Sequence, residues 1–167
     1  MKTAIYPGTF DPITFGHIDI LERTCALFDQ VIVAIAQNPE KEPMFSVAER
    51  KKMITKATEN IHNIEVDSFE GLVVDYVLLK KATAIIRGLR AISDFEYELQ
   101  MALMNRKLKE QIVTVFLMPH EQYIYLNSSI VKEVASFGGD VSNLVPDIVL
   151  QMLKIKIPSK LSPVTEM

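Results

Sequence analysis

The chain has 167 residues, a formal net charge of −3, and 49% hydrophobic against 23% charged residues. That length suits one domain with a real core, and the slight acidity argues against nucleic acid or an anionic membrane as a partner. No apolar run reaches bilayer-spanning length, the apolar start is too short for a signal peptide, and the single Cys25 rules out an intrachain disulfide, so a cytoplasmic protein is expected.

Strand-like and helix-like runs alternate along the chain. Residues 3–6 are an apolar strand, followed by a glycine-containing turn and an amphipathic helix over 18–28. Residues 30–36 are apolar and β-branched, as in a buried parallel strand. Ser46 with Glu49 three residues later spells a capping box for a helix to about Thr58. A short strand over 64–68 precedes a helix over 72–81, and a strand over 84–87 ends at Gly88. A helix over 94–108 and a strand over 112–118 follow. The helix over 128–137 is stopped by Gly138-Gly139, and Pro146 suits the first turn of a last helix ending near Lys156. Residues 158–167 mix Pro, Ser and Thr and are expected as a mobile tail. Residues 1–157 carry no internal repeat or interdomain linker and are expected as a single domain.

Five strands alternating with helices imply an α/β fold, a doubly wound five-stranded parallel sheet with helices on both faces. The helix over 94–108 carries two apolar rows, Phe95, Leu99 and Ala102 on one face and Tyr97, Met101, Met104 and Leu108 on another. A surface helix needs one such face. Two readings stand: a single wide buried stripe, or a second face that buries against another subunit.

Four groups fall at the carboxyl ends of the predicted strands, the edge where doubly wound sheets bind ligands. The first is Thr9, Phe10 and the run Thr14-Phe15-Gly16-His17, a match to the Thr/His-x-Gly-His signature of adenylyl- and cytidylyltransferases. Gly16 lets a phosphate approach the backbone, and His17 at a helix start is either a phosphate donor or a structural cap. Neither the dinucleotide-binding nor the P-loop glycine spacing is present. The second group is Lys41, between two prolines, a mobile charge for phosphate or a solvated lysine. The third is Ile86-Arg87-Gly88-Leu89-Arg90-Ala91, where two arginines flank a glycine. They form a phosphate clamp, or they pair with helix carboxylates such as Glu96 or Glu98. The fourth runs from Tyr123 through Glu133; Ser128 and Ser129 cap a helix or hold a phosphate, and Tyr123 and Tyr125 line an adenine pocket or fill the core.

The string from Gly8 through Asp19, together with Pro43-Met44-Phe45, Arg87-Gly88-Leu89-Arg90, Asp94-Phe95-Glu96-Tyr97-Glu98 and Val115-Phe116-Leu117-Met118-Pro119, resembles the phosphopantetheine adenylyltransferase family from about Ala4 to Pro146. The resemblance implies a Rossmann-like nucleotidyltransferase fold. It also implies a reaction in which ATP and 4′-phosphopantetheine, with magnesium (Mg2+), give dephospho-coenzyme A and pyrophosphate, the penultimate step of coenzyme A synthesis. His17 matches the position that stabilises the transition state. Thr9, Lys41, Val73 and Arg87 match substrate-binding positions. Thr9, Phe10, His17, Gly88, Leu89, Arg90, Glu98, Tyr123, Ile124, Tyr125, Leu126, Asn127, Ser128 and Ser129 match ATP-binding positions. No protein residue is implied as a metal ligand. A homohexamer is implied, as is coenzyme A as a feedback inhibitor at the same site. Asn127 stands where the family usually has the first of three serines, and Tyr123 where some members have tryptophan; both keep a hydrogen-bonding group or an aromatic ring.

Two other classes compete: a nucleotide sensor that has lost catalysis, which predicts a broken histidine, lysine or arginine position, and a nucleotidyltransferase with another acceptor. A tRNA synthetase fragment fits less well, because the chain is short, acidic and lacks a lysine-rich K-M-S-K-S loop.

Overall fold

The computed structural model describes residues 1–38 and 42–157. Lys41 and the expected tail 158–167 lie outside the described residues.

All five expected strands form: β1 Thr3–Gly8, β2 Gln30–Gln37, β3 Ile64–Glu70, β4 Ala84–Gly88 and β5 Val113–Leu117. They pair in parallel in the order β3-β2-β1-β4-β5. The order reverses between β1 and β4, which opens a crevice at their carboxyl ends. In β1 and β2, alternate residues feed opposite cores, as the two-residue period of a strand demands. Ala4, Tyr6, Val31, Val33 and Ile35 face one core, with Leu21 of the first helix and Met53 and Ile54 of the second. Ile5, Ile32, Ala34 and Ile85 face the other, with Val74, Tyr76 and Val77.

The helices are α1 Phe15–Cys25, α2 Val47–Ala57, α3 Val73–Leu79, α4 Ile92–Leu108, α5 Ser128–Ser136 and α6 Asp147–Lys156. A 3-10 turn, Glu121–Tyr123, precedes α5. The Ser46–Glu49 capping box forms as expected, with Glu49 N–H donating to Ser46 Oγ at 3.2 Å and Ser46 N–H to Glu49 Oε2 at 2.8 Å.

Helix starts differ from expectation in detail, and α4 begins at Ile92, two residues before the expected Asp94. Helix α1 begins three residues early, because Thr14 and His17 form a second capping box that the sequence pattern of a Ser/Thr–Glu pair does not reveal. Gly16 and His17 therefore belong to the first turn of α1. At α5 the cap is Asn127, whose Oδ1 accepts Ile130 N–H at 2.8 Å; the serines are left for other partners. Pro146 is the residue before α6, one position outside its first turn.

Helix α4 buries neither of its apolar rows. Phe95, Leu99, Tyr97, Met101, Met104 and Leu108 are all exposed, with Tyr97 at 62%. The wide buried stripe is thus the wrong reading for a single copy of this chain. The buried residues on α4 include Glu98, which lines the crevice, and Asn105.

Candidate active site

A cavity of about 470 Å³ fills the crevice between β1 and β4. Its floor is the end of β1, Tyr6 through Phe10; one wall is Arg87, Gly88 and Arg90 after β4, with Asp94, Tyr97 and Glu98 of α4. The other wall is Gly16 and His17 of α1 with Tyr123 and Leu126 through Ser129. A second cavity of about 550 Å³ lies beyond β2 and β3, lined by Gln37, Pro43, Arg50 and Gly71, among others. Thr9 lines both cavities and is the junction between them.

His17 performs two tasks with two different nitrogens. Its Nδ1 accepts the backbone N–H of Thr14 at 3.0 Å. A backbone N–H has only a proton to give, so Nδ1 is unprotonated and the neutral ring carries its hydrogen on Nε2. Burial, reinforced by the positive charges of Arg90 and Arg87, lowers the His17 pKa to about 4. The ring is therefore a neutral donor at physiological pH. The capping reading is realised through Nδ1, and it leaves Nε2 with a proton to donate.

Phe10 wedges beside this ring, its centroid 5.2 Å from that of His17 and 5.3 Å from that of Tyr6. It has a left-handed backbone, φ 48°, at an aromatic residue that is 2% exposed. Gly8 is required by that ring: a Cβ there would lie 2.9 Å from its tip. Gly16 is different. A Cβ at Gly16 would make only ordinary contacts, the nearest at 3.5 Å. The protein's own packing does not demand glycine there, so the open face of the cavity is what the missing side chain serves.

Both arginines are held by carboxylates of α4. Arg87 grips Glu98 with two nitrogens, Nε donating to Oε2 at 2.7 Å and Nη2 to Oε1, while Nη1 donates to the Pro7 carbonyl at 3.0 Å. Arg90 Nε donates to Asp94 Oδ2 at 3.1 Å and Nη1 to the Leu126 carbonyl at 3.2 Å. The ion-pair reading is realised at Glu98, and both guanidinium groups still face the cavity. Ser128 donates its hydroxyl to the Pro12 carbonyl at 2.7 Å, tying the start of α5 to the β1–α1 turn.

Other expected positions fall outside the cavity walls. Leu89 extends the β4–β5 ladder, its N–H donating to Leu117 O at 2.9 Å. Ile124 and Tyr125 are exposed, and Tyr123 is the tyrosine that reaches the wall. Val73 opens α3 two residues after Gly71 of the second cavity. The sequence reading gave no role to Asp11, Arg50 and Lys132, a charged group behind Thr9 in which Asp11 and Arg50 are buried and Lys132 is half-buried. Asp11 stood inside the strand-to-helix motif; an arginine and a lysine on ordinary helices gave no signal.

Among the described residues, no group of three or more His, Cys, Asp or Glu side chains converges as a metal cage. The carboxylates at the cavity, Asp94 and Glu98, are each engaged by an arginine. This donor set fits a cation carried by phosphate oxygens better than one held by protein alone.

A parallel sheet with this strand order and a Thr-x-Gly-His helix start at its switch point define an α/β nucleotidyltransferase domain. A family model described as cytidylyltransferase-like matches residues 5–134. A phosphopantetheine adenylyltransferase of Alkaliphilus metalliredigens is 60% identical over 93% of this chain and 99% of its own. Another, from Desulfosudis oleivorans, is 57% identical over 94% of both chains. A third, from Synechococcus elongatus, is 58% identical over 90% of both. A solved structure from Vibrio parahaemolyticus, provisionally described as a nicotinate-nucleotide adenylyltransferase, shares the fold with a TM-score of 0.69 at 19% identity over 94% of this chain and 95% of that one. The chain belongs to the phosphopantetheine adenylyltransferase family.

Proposed function

We propose that this enzyme transfers the adenylyl group of ATP to the phosphate of 4′-phosphopantetheine, giving 3′-dephospho-coenzyme A and pyrophosphate. The observation that carries the reading is the meeting of two cavities at Thr9, with His17 on one side of the junction. ATP takes the cavity between β1 and β4, and the acceptor approaches from the side of Thr9 and Val73, with Lys41 assigned to its phosphate by the family resemblance.

An acceptor phosphate oxygen attacks the α-phosphorus, the bond to the β-phosphate oxygen breaks, and pyrophosphate leaves with that electron pair. The attacking phosphate is already anionic at neutral pH, so the step needs no protein nucleophile. The protein contributes position and charge complementarity. His17 Nε2–H is the preorganised neutral donor to phosphate oxygen in the transition state. Arg87 serves the acceptor phosphate; Arg90, Ser128, Ser129 and the free N–H groups at the start of α5 serve the triphosphate. For Arg87 and Arg90, phosphate exchanges with or joins Glu98 and Asp94 as partner. A magnesium ion bound with the nucleotide would neutralise charge on the leaving pyrophosphate.

The exposed apolar rows of α4 support self-association, and the hexamer typical of the family is part of this proposal. Competition by coenzyme A, which contains both product halves, and a cytoplasmic setting belong to the same reading. Among the described residues no helix is long and apolar enough to cross a membrane.

The test is pyrophosphate release from ATP and magnesium with 4′-phosphopantetheine, beside nicotinamide mononucleotide and glycerol 3-phosphate. Release with the first acceptor alone supports the reading. Release with another acceptor overturns the substrate, and silence with all three while ATP still binds favours the sensor.

A further inference from the structure

Asp11 follows Phe10 in the β1–α1 turn and is 3% exposed. Its Oδ1 accepts Phe45 N–H at 2.8 Å, and its Oδ2 accepts Met44 N–H at 2.9 Å and Lys132 Nζ at 2.7 Å. Met44 and Phe45 end the segment after β2; Lys132 stands on α5, one turn beyond Ser128. On the other side of Phe10, Arg50 of α2 donates Nη1 to the Thr9 carbonyl at 2.7 Å. Arg50 is also 3% exposed, and its Nε is buried with no partner among the described residues.

This arrangement is costly. Burying ions costs several kcal/mol each before pairing, and an orphaned buried donor adds roughly 1–3 kcal/mol. The left-handed Phe10 between the two anchors adds about 1–3 kcal/mol more. Apolar side chains would pack the same volume at lower cost, but they supply no directional bonds. The bonds here join four pieces of chain that frame the reaction: Thr9, the segment after β2, α2 and the start of α5. None of the three lines the nucleotide cavity, and neither Asp11 nor Lys132 lines the second one, so those two act through the residues they hold; Arg50 lines the second cavity and also holds the Thr9 carbonyl.

We propose that buried Asp11 and Arg50, with half-buried Lys132, form a charged brace that positions Thr9 and the acceptor-side segment against the triphosphate-binding start of α5. The inference rests on the transferase reading above. The brace sets the distance and angle between the two reacting phosphates; Asp11 and Lys132 are positioning residues, and Arg50 positions Thr9 from the wall of the second cavity.

The decisive variants are Lys132→Met, Lys132→Arg and, from a separate element, Arg50→Lys, with the exposed Lys56→Met as a control for loss of one charge. Lys132→Met is expected to lower kcat at saturating ATP and 4′-phosphopantetheine by about tenfold or more, since small misplacements of reacting groups carry losses up to 10²-fold. The calorimetric dissociation constants for ATP alone and phosphopantetheine alone stay within about threefold of wild type, and Lys132→Arg recovers most of kcat. A lowered Tm with wild-type kcat overturns the proposal, because the cluster then serves only the fold. A loss of kcat that follows weakened binding of either substrate overturns it too. Should Lys132→Met fail to fold, Asp11→Asn decides by the same kcat and binding readouts; Arg50→Lys is read by kcat alone, because Arg50 lines the acceptor-side cavity. An inactive wild type sinks the transferase reading and this inference together; an active wild type with unimpaired variants sinks this inference alone.

Discussion

His17 and Thr14 cap one another across the first turn of α1: Thr14 N–H donates to His17 Nδ1 at 3.0 Å, and His17 N–H to Thr14 Oγ1 at 3.4 Å. One ring thus orders the helix start and presents Nε2–H to the cavity. His17→Ala should lower kcat about 10²–10³-fold, the scale of losing one preorganised transition-state donor. Loss of the cap bond should cost only about 1 kcal/mol of stability. Near-normal turnover would reduce His17 to its capping role.

The same burial gives a pH signature. The His17 pKa lies at about 4 in the folded chain and near the unperturbed ~6.5 when unfolded. Between those values the unfolded chain binds the extra proton, so stability falls as pH drops from ~6.5 towards ~4, by up to about 3 kcal/mol. Chemical denaturation over that window should show a shallower pH dependence in His17→Ala than in wild type. Above about pH 6 the kcat ratio of wild type to His17→Ala should be flat, because the ring stays neutral. A titration near pH 6.5 in that ratio would contradict the neutral-donor assignment.

Gly16→Ala separates packing from ligand approach. Alanine is favoured over glycine in a helix by about 0.5–1 kcal/mol, and the nearest atom to an added Cβ is 3.5 Å away. The variant should be as stable as wild type or more so. It should nevertheless bind ATP at least tenfold more weakly, because the methyl group holds a phosphate oxygen away from the backbone and weakens a charge-assisted hydrogen bond. Unchanged ATP affinity would show that the glycine face is not the ligand's path.

The local signals were legible because they are local. Parallel strands buried on both faces read as apolar β-branched runs, and the Thr-x-Gly-His run marks the strand-to-helix edge where the cavity lies. Helix starts were read less well: the box at Thr14 uses histidine as its reciprocal acceptor, outside the usual Glu or Gln pattern. The brace was not legible, since Asp11 and Lys132 are 121 positions apart and Arg50 is 41 from Thr9. No periodicity or spacing links them until the sheet has folded. For the run after β5, the order of residues was visible but not their direction: Tyr123 reaches the wall, whereas Tyr125 stays exposed.

Asn127 tests whether a departure from the family serine affects the fold or the ligand. Its Oδ1 caps α5 by accepting Ile130 N–H at 2.8 Å. Asn and Ser are comparable caps, whereas Ala costs about 1 kcal/mol. Asn127→Ser should leave Tm within a degree or two, and Asn127→Ala should lower it by several degrees, as expected for ~1 kcal/mol in a domain of this size. With both, ATP affinity should change by less than about threefold if Asn127 acts as a cap, since the N–H groups of Ser128 and Ser129 remain. A larger loss in Asn127→Ser would move this side chain from cap to triphosphate ligand.

Arg87 cannot be replaced by lysine without loss, for a geometric reason. Its guanidinium spans two Glu98 oxygens and the Pro7 carbonyl at once, and a single ammonium cannot reproduce that planar fork. Arg87→Lys is expected to fold, with kcat/KM for 4′-phosphopantetheine reduced about tenfold or more and KM for ATP changed far less. Arg87→Ala removes the partner of Glu98, whose residue is only 8% exposed, and should destabilise by about 3 kcal/mol because a buried carboxylate is left unpaired. Glu98→Gln in the Arg87→Ala background should recover part of that stability without recovering activity. Recovery of both would mean that Arg87 supports the fold of α4 and never meets the acceptor phosphate.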